Sequence, residues 1–203
     1  MQDKRHWYDG KIYETFIAPH QDDLYKLIKN IIPPNSKVLD VGCGTGRMDF
    51  LLAQESAKVI GIDLSSKNIK TAKEKLQKKN LDNIEFIHGS ILDIKKFTDE
   101  PFDIAIITYV LHEMDPEERI RTLRLLKTAA QMIIIADYIV PVPKDLSGLS
   151  AKTIEFLAGK NHFTNYRNFV KNGGLQTLAA DAGLQIKETL KAHTETRQII
   201  VIE

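Results

Sequence analysis

Cysteine is nearly missing: Cys43 stands alone among 203 residues, so no disulfide can form within the chain and nothing points to an oxidising compartment. Long apolar runs are missing too. No window approaches the roughly 20 apolar residues that span a bilayer, and the opening MQDKRHWYDG lacks the apolar stretch of a secretory signal. These absences predict a cytoplasmic chain that does not reside in a membrane. Charge of one sign is also lacking, because 28 Lys and Arg stand against 27 Asp and Glu. No global field draws nucleic acid or an anionic lipid surface. The most basic stretch, from Lys67 to Lys79 with Glu74 inside it, has the spacing of a solvated helix face.

What is present is an ordinary globular composition, 43% hydrophobic and 27% charged, in a chain long enough for one sizeable core. A single domain over residues 1–203 is expected. Asp22 to Ile32 has helical spacing and is stopped by Pro33 and Pro34. Strand-like apolar runs follow at Lys37 to Val41, Lys58 to Ile62, Ile84 to Ile87, Phe102 to Ile107 and Met132 to Ala136. Helical segments separate them: Arg47 to Ala53, a helix from Ser65 or Ser66, a short turn or helix, and one from Asp115 through Lys127. Alternation of this kind predicts an α/β fold, a Rossmann-like doubly wound sheet of mostly parallel strands. Leu146 to Gly159 and Tyr166 to Ala182 read as two further helices. Leu184 to Leu190 and Arg197 to Ile202 read as a terminal antiparallel hairpin turning at His193 to Thr196.

The strongest chemical signal is Val38-Leu-Asp-Val-Gly-Cys-Gly-Thr-Gly46, three glycines between a buried strand and a helix. Glycine lets backbone approach a ligand closely, and ligands in open parallel sheets sit beyond the carboxyl ends of the strands. A plain tight turn is the bland alternative. The dinucleotide fingerprint G-x-G-x-x-G is missed, because Arg47 occupies its last position, and the Gly-Lys-Ser/Thr of phosphate loops is absent. A second signal is Val59-Ile-Gly-Ile-Asp-Leu-Ser65, which puts Asp63 at the end of the next strand, where a carboxylate can accept both ribose hydroxyls. Its bland alternative is a helix cap, for which Ser65 and Ser66 are better placed.

Together these stretches resemble the class I S-adenosylmethionine-dependent methyltransferases, and His88-Gly-Ser-Ile-Leu-Asp93 and Phe102 to Met114 agree with that family's third and fourth strands and the loops after them. The resemblance covers about residues 35 to 140. It implies the class I methyltransferase fold, divided as an N-terminal lid or helix (1–34), a cofactor-binding core (35–140), substrate-side helices (141–183) and the terminal hairpin (184–203). It also implies S-adenosylmethionine as cofactor and S-adenosylhomocysteine as product. Carried over by position, Gly42 and Gly44 face the methionine part, Asp40 holds its amino end, and Asp63 takes the ribose. Leu64 and Ile91 sandwich the adenine, Ser90 sits at its exocyclic edge where relatives often have Asp, and Thr108 contacts the methionine end.

Methyl transfer from a sulfonium is a direct displacement governed by alignment. A base is needed only for a protonated acceptor. His112 is the expected base, with packing as its alternative, and Tyr109 is expected to line the acceptor site. Tyr13, in the aromatic stretch Trp7 to Tyr13, is expected to close over the cofactor unless those aromatics simply pack. His6, His20, His88, His162 and His193 show no metal-ligand spacing, so no metal is expected. Phe163, Tyr166 and Phe169 have helix-packing spacing, although Tyr166 and Arg167 are alternatives for acceptor contact. Nucleobase-methylating motifs are absent, which with the balanced charge favours a small-molecule acceptor over nucleic acid. Two readings compete: an NAD-dependent oxidoreductase, and a module that binds the adenosyl cofactor without turnover.

Overall fold

Parallel strands buried on both faces need unbroken apolar runs, and the chain supplies them. The structure, a computed structural model, describes residues 3, 9–10, 21–96, 100–191 and 196–203. Among the described residues there are seven strands: β1 (Lys37–Val41), β2 (Lys58–Asp63), β3 (Ile84–His88), β4 (Phe102–Thr108), β5 (Ala130–Tyr138), β6 (Ile186–Lys191) and β7 (Arg197–Ile202). They form one mixed sheet in the order β3-β2-β1-β4-β5-β7-β6. β1, β2 and β3 pair in parallel, with Asp40 opposite Gly61 and Asp63 opposite His88. β7 runs antiparallel to both β5 and β6, as expected for the terminal hairpin. The strand order reverses at β1, where β2 lies on one side and β4 on the other. Such a switch point is where open α/β sheets bind ligands.

Among the described residues there are seven α-helices, α1 (Asp22–Ile31) ahead of β1 and then α2 (Arg47–Leu52), α3 (Ser66–Leu76), α4 (Pro116–Ala129), α5 (Leu146–Leu157), α6 (Lys160–Lys171) and α7 (Gly174–Asp181) between strands. The segment read as one helix from Tyr166 to Ala182 is two. Gly173 and Gly174 both take positive φ, 87° and 66°, a conformation that ends a right-handed helix. Tyr166 and Phe169 are buried, which matches packing spacing. Among the described residues no helix is long and apolar enough to cross a membrane.

The chain forms two compact units. The first holds residues 1–106 and 129–131, with β1 to β3 and α1 to α3; its core is built by Val38, Leu39, Val59, Ile60, Ile62 and Phe86. Arg47 on α2 grips Asp22 on α1 with a two-pronged ion pair at 2.6 and 2.8 Å, and this holds the Asp22 carboxyl below its usual range. The second unit holds residues 107–128 and 132–203, and its core includes Ile133 to Ile135 and Ile199 to Ile202.

Candidate functional site

In the first unit, the glycine loop turns sharply after β1. Gly42 and Cys43 donate their backbone N–H groups to the carbonyl of Ile62, at 2.8 and 3.2 Å. The Asp63 carboxylate is fixed from two sides. Its Oδ2 accepts from Gly44 N–H at 2.9 Å and its Oδ1 from Ser65 N–H at 2.7 Å. Asp63 therefore ties the glycine loop to the start of α3 while staying partly exposed. The helix cap proper is Ser65, whose hydroxyl accepts from Asn68 N–H at 3.3 Å. Asp9 bonds that hydroxyl at 2.7 Å, and Gly10 donates to Asn68 Oδ1 at 2.8 Å. Asp3 also accepts from the N–H and hydroxyl of Ser66, at 3.0 and 2.8 Å, so Asp3, Asp9 and Gly10 all meet the start of α3. Tyr13 and the other N-terminal aromatics lie outside the described residues.

Asp40 ends up more deeply buried than a simple surface contact would require, at 1% exposure. Its neighbour on α2, Asp49, is fully buried and was not singled out by the sequence. The backbone at Gly61 makes room for it: a Cβ there would stand 2.5 Å from Asp49 Oδ1. Burial pushes the Asp40 carboxyl up to about 7; the neighbouring Asp49 carboxyl opposes this, and the Asp63 charge adds to it. Burial and the Asp40 charge likewise raise Asp49, and burial with these three carboxyls raises the Cys43 thiol. Asp40 Oδ1 has no hydrogen-bond partner among the described residues. A buried acceptor left in that state suits a cationic donor such as an amino group.

Leu64 is half-buried, Ile91 is buried, and Ser90 is half-buried at the turn after β3. The Ser90 hydroxyl already accepts from Leu92 N–H at 3.2 Å, so it serves the local turn first. Asp40, Gly42, Gly44, Asp63, Leu64, Ser90 and Ile91 all lie in the first unit.

Thr108, Tyr109 and His112 belong to the second unit. Thr108 is buried at the end of β4. Tyr109 takes φ of 57°, a strained value for an aromatic residue, and donates its N–H to the Ala136 carbonyl at 2.9 Å. His112, on a short 3-10 turn (Leu111–Glu113), is 3% exposed. Its Nδ1 lies 2.7 Å from Asp137 Oδ1, and its Nε2 lies 3.4 Å from Glu155 Oε2. Burial disfavours the charged imidazole, but Asp137 and Glu155 outweigh it and raise its pKa well above the ordinary value. For Glu155, burial works upward and is overcome by His112 and His162, leaving the carboxyl well below its usual range. Nδ1 of His112 is held by Asp137, and Nε2 faces the Glu155 carboxylate at ion-pair distance.

His162 is not the scattered local residue its spacing suggests. It joins the same cluster, with Nε2 at 2.5 Å from Glu155 Oε2 and Nδ1 at 3.3 Å from Glu113 Oε2. Asp137 and Glu155 went unremarked in the sequence, though a lone acid at the carboxyl end of the apolar run Ile133 to Ala136 was a usable signal.

A family model described as "Methyltransferase domain" matches residues 32–181. An uncharacterized RNA methyltransferase of Leptospira interrogans is 30% identical over 105 residues, covering 51% of this chain and 27% of that protein. A probable cobalt-precorrin-6B C(15)-methyltransferase of Methanobrevibacter smithii is 42% identical over 82 residues, 40% of this chain and 43% of that protein. The chain thus spans less than half the length of these two curated relatives. The crystal structure of magnesium protoporphyrin IX methyltransferase from Synechocystis PCC 6803 with bound S-adenosylhomocysteine aligns at a TM-score of 0.62 and 22% identity, covering 95% of this chain and 87% of that one. That likeness establishes the fold.

Proposed function

We propose that this chain, which belongs to the methyltransferase domain family, transfers the methyl group of S-adenosylmethionine to a small-molecule acceptor by direct displacement, leaving S-adenosylhomocysteine. The observation that carries this reading is the Asp63 carboxylate, held by Gly44 and Ser65 N–H groups at the carboxyl end of β2. It is pre-set to accept ribose hydroxyls with no reorganisation at binding.

The cofactor, when bound, supplies an electrophilic methyl on a sulfonium. The chain's own groups do the rest. Gly42 and Gly44 keep the loop free of side chains, and the unpaired Oδ1 of Asp40 takes the amino end. Leu64 and Ile91 give the adenine two apolar faces and Ser90 stands at its edge; the family resemblance assigns Thr108, in the second unit, to the methionine end. On the acceptor side, Tyr109 lines the site with its strained backbone, and His112, held at Nδ1 by Asp137, organises the turn.

Support for a small acceptor comes from the formal net charge of +1, too weak a field for a polyanion, and from the names of the precorrin and protoporphyrin relatives. The Leptospira relative, named for RNA, sets the alternative. The test is release of S-adenosylhomocysteine on supplying S-adenosylmethionine with panels of phenols, carboxylic acids, thiols, amines and tetrapyrroles, and separately with total RNA. A small acceptor is expected to drive release. Asp63→Ala, confirmed folded by circular dichroism, should raise the KM for S-adenosylmethionine by about 10- to 100-fold, the worth of one lost charge-assisted hydrogen bond. Release with RNA alone, or with no panel at all, contradicts the proposal.

A further inference from the structure

We infer that His112, Glu155 and His162 form a binding site for one divalent transition-metal ion of the zinc type, with at least one coordination position left for a non-protein ligand. This site lies wholly in the second unit, and the inference does not depend on the methyl-transfer reading.

Three elements converge to build it. His112 comes from the turn after β4, Glu155 from α5, and His162 from the first turn of α6. The chain reverses at Gly159 between the two helices, which is how residues seven apart reach one point. One ligand atom from each residue lies within 4.8 Å of the other two, and all three side chains are buried, at 4%, 5% and 8% exposure. Both imidazoles turn the same nitrogen inward: His112 Nε2 and His162 Nε2 both approach Glu155 Oε2.

Ligand bonds of 2.0 to 2.2 Å in tetrahedral geometry set neighbouring donor atoms about 3.4 Å apart. The His112 to Glu155 separation, 3.4 Å, already has that value. The His162 to Glu155 separation, 2.5 Å, must open by about 1 Å on loading. The soft terminal torsion of Glu155 allows this.

The outer groups make the stronger case. Metal-ligating histidines characteristically present their second nitrogen to a carboxylate or carbonyl, which fixes ring orientation and raises basicity. Here His112 does so through a hydrogen bond, with Asp137 behind its Nδ1 at 2.7 Å, and Glu113 stands within ion-pair reach of Nδ1 of His162, at 3.3 Å. Asp137 is itself fixed by the N–H groups of His112 and Tyr138. The Tyr138 hydroxyl donates to Glu155 Oε1 at 2.7 Å, which leaves Oε2 directed at the two imidazoles.

The competing account is a hydrogen-bonded cluster without an ion. Against it, Glu155 Oε2 has two imidazole nitrogens within 3.4 Å yet no hydrogen bond of good geometry to either. Charged imidazoles would hold it by ion pairing alone, whereas a cation between the three groups gives each of them a directed bond. Two imidazoles with one carboxylate select zinc, cobalt, iron or manganese over magnesium, which demands oxygen ligands. Three protein ligands leave the open position typical of sites that bind an exchangeable molecule.

The test uses the full chain, stripped with a chelator and titrated with Co²⁺, followed by its visible d–d bands, and then with Zn²⁺ in competition. One equivalent of Co²⁺ should bind with a low-symmetry spectrum and be displaced by Zn²⁺, which should also raise the melting temperature. His162→Gln and Glu155→Gln should each weaken Co²⁺ binding by at least 100-fold, and Asp137→Asn, which leaves all three ligands in place, by about 10- to 100-fold. Absence of any Co²⁺ spectrum or Zn²⁺ thermal shift at millimolar metal would overturn the inference. So would Co²⁺ binding that survives unchanged in both ligand variants, since the ion would then sit elsewhere.

Discussion

Asp40 and Asp49 are two carboxyls buried beside each other, and their environment runs against ionisation. Asp63, Cys43 and Lys75 are the other titratable groups that face them. In the unfolded chain Asp40 releases its proton near 3.8, whereas in the folded chain it keeps it to about 7. Between those values the folded state binds more protons than the unfolded state, so stability falls as pH rises and levels off above about 7. Asp49, also raised, acts in the same direction. Asp49→Asn removes one of the two acids and offers an amide donor to its neighbour. We therefore expect thermal melts from pH 5 to 8.5 to slope downward in the native chain. The Asn variant should slope less and melt higher at the alkaline end. A native slope of the opposite sign would remove this account of the pair.

Local motifs made half of the chemistry legible at this scale. Asp40, the glycines and Asp63 lie within 24 residues of sequence on consecutive elements, so strand and turn patterning was enough to bring them together. The His112 cluster was not legible in that way. Its members stand at positions 112, 113, 137, 155 and 162 and meet only through tertiary packing, which no local spacing encodes.

The element scale turns on how α2 begins. Gly46 precedes it with φ of 77°, and a Cβ there would stand 2.4 Å from Phe86 Cζ on β3. Gly183 has a similar φ, 74°, but nothing within 4 Å of its Cβ position. Gly183→Ala should cost only the left-handed backbone penalty, about 1 to 2 kcal/mol. Gly46→Ala should add overpacking against the ring, for about 2 to 5 kcal/mol in total. Chemical denaturation compares the two, and equal losses would mean that Phe86 yields freely. Strand boundaries were read from the sequence to within one residue for β1 to β4 and β7, where apolar runs are bounded by turn residues, and to within two for β5 and β6. The division between α6 and α7 was missed because apolar spacing continues across Gly173 and Gly174 and masks their positive φ.

For the whole molecule, the sheet order reverses at β1 beside a glycine loop, and the family match over residues 32–181 contains every described residue assigned to the cofactor. Net charge is close to neutral, so affinity should come from directed contacts and depend little on salt. A ligand that binds only the folded chain stabilises it by about 2.7 kcal/mol at 100 times its Kd, or a rise of about 5 to 11 °C in melting temperature at this size. The central claim is that the site at Asp63 is built for an adenosyl ligand and not for a dinucleotide. It is tested most directly by calorimetric titration of the purified chain with S-adenosylmethionine, S-adenosylhomocysteine and NAD. Binding of both adenosyl ligands at one per chain, with no heat from NAD, is the predicted result; NAD binding in the absence of adenosyl-ligand binding would contradict it.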